Sequence, residues 1–244
     1  YIRQTVLAVS KVPYQKPTAK TQTVVSSYTH AVKFGHKPVL IGERINPTGK
    51  KKIKEALRKA DYNYILTEGL RQADKGVQML DVNAGLPEID EAAAMTAIVK
   101  QLQAVTDLPL QLDTTNADAL SRAMRIYNGK PLINSVNGNR ESMDSVFPLV
   151  QKYGGAVIAL TMDEEGIPET AEKRLAIAAK IVDEAKKYGI DQKDIVVDPL
   201  ALTVSSNQKS ALVTLQSIEL IKEKLGVHTS LGVSNISFGL PCRN

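Results

Sequence analysis

Short apolar runs alternate with longer amphipathic stretches along most of the chain. The runs lie at Val39–Gly42, Met79–Val82, Leu110–Leu112, Pro131–Ile133, Ala156–Leu160, Ile195–Val197 and Thr229–Val233. They are almost continuously apolar, as strands buried on both faces are. Between them apolar residues recur three or four apart, as in Met95, Ile98, Leu102 and Val105, or Leu212, Leu215, Ile218, Ile221 and Leu225. That spacing predicts helices with one buried face. Gly76, Gly129, Gly154, Gly189 and Gly226 stand where those helices should stop, positions that favour a residue able to adopt the left-handed conformation. Strand–helix alternation of this kind predicts a parallel sheet covered by helices.

The strands end on polar residues: Gly42-Glu43-Arg44-Ile45-Asn46, Asp81-Val82-Asn83, Asp113-Thr114-Thr115, Asn134-Ser135, Thr161-Met162-Asp163, Asp198-Pro199 and Ser234-Asn235. A buried parallel strand needs no polar end unless that end faces a site, and sites of (β/α) barrels lie at the C-terminal strand face. The expectation is a TIM (β/α)8-type α/β barrel with an acid-and-amide mouth. The pattern supplies seven strands where a closed barrel has about eight, so the chain reads as a barrel truncated before its eighth strand.

The first residues follow a different rhythm. Tyr1 to Ser10 has the pattern of a short amphipathic helix, and residues 13–37 are rich in Ser and Thr, with Pro13, Pro17 and Gly35 and no sustained period. We expect a helix and an extended linker over 1–37 and the barrel over 38–244.

Composition narrows the class. Among 244 residues no apolar run is long enough for a membrane span, and no signal peptide opens the chain, so no membrane partner and a cytoplasmic location are the expectation. A net charge of +5, no tryptophan and few aromatics argue against a nucleic-acid surface. The single Cys242 excludes an internal disulfide, and His30, His36 and His228 are scattered without metal-ligand spacing. Neither a phosphate-binding glycine loop nor a serine nucleophile elbow occurs.

What remains is the set Asp113, Asn134, Asp198 and Asn235, each at a predicted strand end. Two carboxylates and two carboxamides suit a flat heterocycle with an amino-amidine edge, because a carboxylate accepts two parallel N–H bonds from it. A pterin or a guanine-like base has that edge. Each residue also has a plain use: Asp113 as a helix cap, Asp198 as the start of an Asp-Pro turn, and Asn134 and Asn235 as partners of loop backbone.

The segments Gly42-Glu43-Arg44-Ile45-Asn46-Pro47-Thr48-Gly49-Lys50-Lys51, Leu80-Asp81-Val82-Asn83, Leu112-Asp113-Thr114-Thr115, Ile133-Asn134-Ser135, Asp198-Pro199-Leu200 and Gly232-Val233-Ser234-Asn235-Ile236-Ser237-Phe238-Gly239-Leu240-Pro241 resemble the methyltetrahydrofolate-binding domains of cobalamin-dependent methionine synthases. The likeness runs from about Lys37 to Arg243, and residues 1–37 resemble the tail and linker that follow the homocysteine-binding barrel there. The resemblance implies a methyltransferase in which Asp113, Asn134 and Asp198 hold the pterin ring and Asn235 lies beside the nitrogen bearing the methyl. It places Asp81 and Asn83 at the pocket floor, Gly232 and Ser234 on its last wall, and Glu43 and Asn46 at the first strand end. It implies 5-methyltetrahydrofolate as methyl donor, cobalamin carried by another domain or protein, and zinc only in the homocysteine-binding domain. The cobalamin-binding and homocysteine-binding domains are the implied partners. Three alternatives stay open: a methyltransferase serving a corrinoid iron–sulfur protein, a dihydropteroate synthase-like enzyme, and a non-catalytic pterin-binding module.

Overall fold

A short antiparallel hairpin, β1 (Val24–Ser26) and β2 (Ala31–Lys33), precedes seven parallel strands. These are β3 (Ile41–Ile45), β4 (Met79–Val82), β5 (Leu110–Asp113), β6 (Leu132–Val136), β7 (Ala156–Leu160), β8 (Ile195–Asp198) and β9 (His228–Thr229). They pair in chain order, β3 through β9, in one sheet. The computed structural model describes residues 1–13, 18, 20–35, 37–205 and 207–241; Pro17, His36, Cys242 and Arg243, noted above, lie outside them. The architecture is a TIM-type α/β barrel of seven strands, with β3 and β9 left as edges.

After α1 (Ile2–Val9), helices follow the strands: α2 (Lys51–Arg58) and α3 (Tyr62–Asp74) after β3, then α4 (Glu91–Val105), α5 (Ala117–Ile126), α6 (Arg140–Tyr153), α7 (Ala171–Lys187) and α8 (Ser210–Leu225). Short polar side chains start four of them. Asp61, Asp90, Asn116 and Thr170 each accept a backbone N–H of the first turn of α3, α4, α5 and α7.

Strand parity sorts the core into two layers. Leu80, Val82, Leu110, Leu112, Ile133, Val157, Ala159, Ile195 and Val197 face the helices. Met79, Leu132, Ala156, Ile158 and Val196 face the barrel interior, where Val25 and Val32 of the hairpin pack on them. Above that apolar floor, the interior parity brings up Asp81, Asn83, Gln111, Asp113, Asn134 and Asp198.

The stretch expected to run extended over 13–37 contains this hairpin, which closes the foot of the barrel. Ser26 and Lys130 exchange two backbone hydrogen bonds of 2.8 and 3.0 Å. The Tyr127 hydroxyl donates to the Ser26 carbonyl at 2.9 Å and accepts from the Leu110 N–H at 3.0 Å. Gly129 makes that approach possible: its φ is +140°, and a Cβ there would sit 2.2 Å from the Ser26 carbonyl oxygen. By contrast α1 buries none of its residues.

Several strand limits differ from the sequence expectation, among them that of β6, which runs on to Val136. The first strand runs on to Ile45, where it pairs with Val82 after a bulge. The last ends at Thr229 instead of Val233, and Val233–Ser237 coil into a 3-10 turn. As an edge strand β9 pairs on one side only, through His228 and Thr229, and its last bond to β8 is from the Ser230 N–H to the Val197 carbonyl at 2.9 Å.

Candidate active site

Between β4 and β5 the interior polar residues are cross-linked in two tiers. In the lower, Gln111 Nε2 donates to Asp81 Oδ1 at 2.6 Å; in the upper, Asn83 Nδ2 donates to Asp113 Oδ2 at 2.9 Å. Each carboxylate thus takes an amide from the neighbouring strand. Asn134 stands beside Asp113 in register, extending the upper tier onto β6. Asn83 Oδ1 also accepts the Gly85 N–H at 2.8 Å, which fixes the way its amide points.

Burial decides the electrostatics of these acids. Asp81 is almost fully enclosed, and desolvation, followed by the neighbouring Asp113 charge, pushes its pKa up to about 8 against the bond from Gln111. Asp113 is raised too, first by burial and then by Glu43 and Glu91, while the Asn83 bond opposes the shift. Asp198, on β8, is raised to about 6 by burial, with the Leu200 N–H and the Arg174 charge pulling the other way.

The remaining candidates occupy the rim. Glu43 is exposed and pairs with Lys50 Nζ at 2.8 Å, a contact of little energetic weight in water, though its charge is felt by both Asp81 and Asp113. Asn46 turns back on its own loop, accepting the Thr48 N–H at 2.8 Å. Gly232, Ser234 and Asn235 sit in and before the exposed 3-10 turn beyond β9, not on a strand. A Cβ on Gly232 would meet the Asn235 amide nitrogen at 2.8 Å, so the glycine gives that side chain its room.

The structure therefore brings Asp81, Asn83, Asp113 and Asn134 together on adjacent strands, with Glu43 near them. Asp198 lies two strands further, next to Leu160 of β7 in register, and Asn235 stands apart on the rim. The alternative use of Asp113 is taken by a neighbour: Asn116 caps α5 through the Asp118 and Ala119 N–H groups, leaving Asp113 to the interior. Sequence reasoning missed Gln111 and Arg174. A signal existed for both: Gln111 interrupts an apolar strand, and Arg174 falls in the stripe Ala171, Ala178, Ile181, Ala185, one face of α7. Among the described residues no three His, Cys, Asp or Glu side chains gather as a metal site.

A parallel barrel with carboxylates and carboxamides at its C-terminal strand ends defines a (β/α)-barrel domain with a polar ligand mouth. The chain belongs to the pterin-binding enzyme family, whose description, Pterin binding enzyme, matches residues 42–243. It is 33% identical over 253 residues to the methionine synthase of Mycobacterium tuberculosis, a match covering 98% of this chain and 21% of that protein. It is 32% identical over 212 residues to the methylcorrinoid:tetrahydrofolate methyltransferase of Eubacterium limosum, covering 84% of this chain and 76% of that one. The chain thus spans about a fifth of the methionine synthase length. A dihydropteroate synthase of Xanthomonas albilineans, solved with 4-aminobenzoic acid, superposes with a TM-score of 0.67 at 19% identity over 87% of this chain and 77% of that one. The same enzyme in complex with 7,8-dihydropteroate gives 0.63 at 19% identity over 87% and 77%. At that identity the likeness is one of fold. Among the described residues no helix is long and apolar enough to cross a membrane.

Proposed function

We propose that the chain binds 5-methyltetrahydrofolate in the barrel mouth and prepares its methyl group for transfer to a cobalamin carried by another domain or protein. The observation that carries this reading is the upper tier at the strand ends, where Asn83 holds Asp113 beside Asn134. Together with Asp198 it offers acceptors to an amino-amidine edge and amides to a ring carbonyl. The kinship with methionine synthase and with the corrinoid-linked methyltransferase supports the choice of methylated folate among pterins.

The methyl leaves a tertiary amine, which must become a better leaving group by gaining a proton or a strong hydrogen bond. Asn235, exposed on the rim, is the residue we assign beside that nitrogen. Its amide would steady the proton there, with Gly232 leaving it space. When docked, the corrinoid supplies the nucleophile, its reduced cobalt. The rim fits such a partner, because Glu43, Gly232, Ser234 and Asn235 are exposed around the mouth. Residues 1–37 are proposed as the tail and linker of a preceding homocysteine-binding domain, where zinc would belong. The methionine synthase match extends over 98% of the chain, against 84% for the corrinoid-linked methyltransferase, which supports that assignment.

Calorimetry with 5-methyltetrahydrofolate and a single-turnover transfer assay with reduced cobalamin test the proposal together. Binding with transfer is expected. Binding without transfer identifies a pterin-binding module, and condensation of a dihydropterin pyrophosphate with 4-aminobenzoate in its place overturns the reading.

A further inference from the structure

Arg174 is 1% exposed, and its hydrogen bonds run to carbonyls and a hydroxyl, not to a carboxylate. Nε donates to the Pro168 carbonyl at 2.9 Å, and Nη1 reaches the carbonyls of Pro199 at 2.7 Å and Leu200 at 3.0 Å, with Thr214 Oγ1 at 3.4 Å. One guanidinium thereby ties the loop before α7, the loop after β8, and α8. A buried charge is expensive unless its donors are used, and here Nη1 is spent chiefly on the segment that follows Asp198.

That segment is strained. Leu200 has φ +64°, a left-handed conformation that is unfavourable for a side-chain-bearing residue and persists where neighbours enforce it. Its carbonyl is held by Arg174 and by Thr214 Oγ1 at 3.0 Å, while its N–H donates to Asp198 Oδ1 at 2.7 Å. The chain of contacts runs from guanidinium to Leu200 to carboxylate.

We propose that Arg174 is a positioning residue for the pterin site, fixing the Asp198 carboxylate through the left-handed Leu200. This rests on the reading that Asp198 binds the pterin. Arg174 is also the charge that acts on Asp198. Leu160 of β7 stands opposite Asp198 in register and β9 sets Thr229 against Val197, so neither brings a charge; His228 pairs lower, with Val196, and burial favours its neutral form.

The test compares full-length wild type, Arg174→Met and Arg174→Lys by carboxyl carbon NMR, with the Asp198 resonance assigned from Asp198→Asn. Without ligand, Asp198 in Arg174→Met should titrate about one pH unit higher than in wild type, and in Arg174→Lys close to wild type. Affinity for 5-methyltetrahydrofolate should fall about tenfold in Arg174→Lys, where the fork is lost and the charge kept. In Arg174→Met the pH midpoint of binding should move up with the carboxyl. Arg174→Gln replaces Arg174→Met if the latter does not fold, since it keeps a hydrogen-bonding head without the charge. An unmoved Asp198 titration in a folded neutral variant, or equal loss of affinity at every pH, overturns the proposal. A shifted titration in a chain that does not bind the folate overturns the functional reading and leaves the coupling of Arg174 to Asp198 standing.

Discussion

The Asn83 amide donates to Asp113 at 2.9 Å across the same strand pair in which the Gln111 amide donates to Asp81 at 2.6 Å, in the opposite direction. The two strands exchange acid and amide. A carboxylate whose second oxygen is already oriented presents its remaining lone pairs in a fixed direction, which is what a planar ligand edge requires.

Asp113→Asn preserves shape but turns an acceptor toward the ligand into an ambiguous amide, and it opposes the Asn83 donor. Charge-assisted bonds contribute roughly 1.5–3 kcal/mol, so the affinity for 5-methyltetrahydrofolate should drop by about one to two orders of magnitude. Titration calorimetry reads it directly, and unchanged affinity would place the pocket elsewhere.

Asp81 provides a pH signature. Its folded pKa of about 8 lies above the ordinary 3.8, so its stabilising contribution is complete below about pH 4 and is lost as pH rises through about 8. The melting temperature of the wild type should decline over that window, and Asp81→Asn, which can still accept from Gln111, should flatten the decline. A parallel decline in the variant would assign it to other groups.

Asn235→Ala separates rate from binding. Its amide matters most as the folate nitrogen gains a proton, so the transfer rate to reduced cobalamin should fall more than ground-state affinity does. Equal losses in both would make Asn235 an ordinary binding contact.

Tyr127→Phe tests the foot of the barrel. The hydroxyl joins the Ser26 carbonyl to the Leu110 N–H, and burial raises its pKa to about 12, keeping it neutral. Removing it strands the Leu110 N–H, while the Ser26 carbonyl keeps the Lys130 N–H, at a cost of about 1–3 kcal/mol readable as a lower denaturant midpoint.

The barrel was legible because most strands are largely apolar runs that stop at polar residues, a contrast that survives without any knowledge of contacts. Asp113 and Asn134 were legible as site candidates for the same reason. What local pattern conceals is pairing at a distance: nothing in residues 24–33 says that they fold into a hairpin under β6, since only Gly129 and Tyr127, far along the chain, make room for it. The end of β9 was hidden similarly, because Thr229–Val233 has strand character but stands at an edge with one partner. Arg174 stood out only as a charge in the apolar stripe of α7, and its role stayed hidden because its partners are mainly backbone carbonyls, which leave no trace in side-chain spacing.

The hairpin has an electrical consequence. With Val25 and Val32 packed at the foot against Met79, Leu132 and Val196, the carboxyl groups have an apolar layer of low polarisability beneath them. Field lines from Asp113 and Asp198 are therefore channelled toward the open end. Thinning that layer, for instance with Val25→Ser, should retune both acids from below without altering one of their hydrogen bonds, so the plug acts as the insulator of the site as well as its stopper.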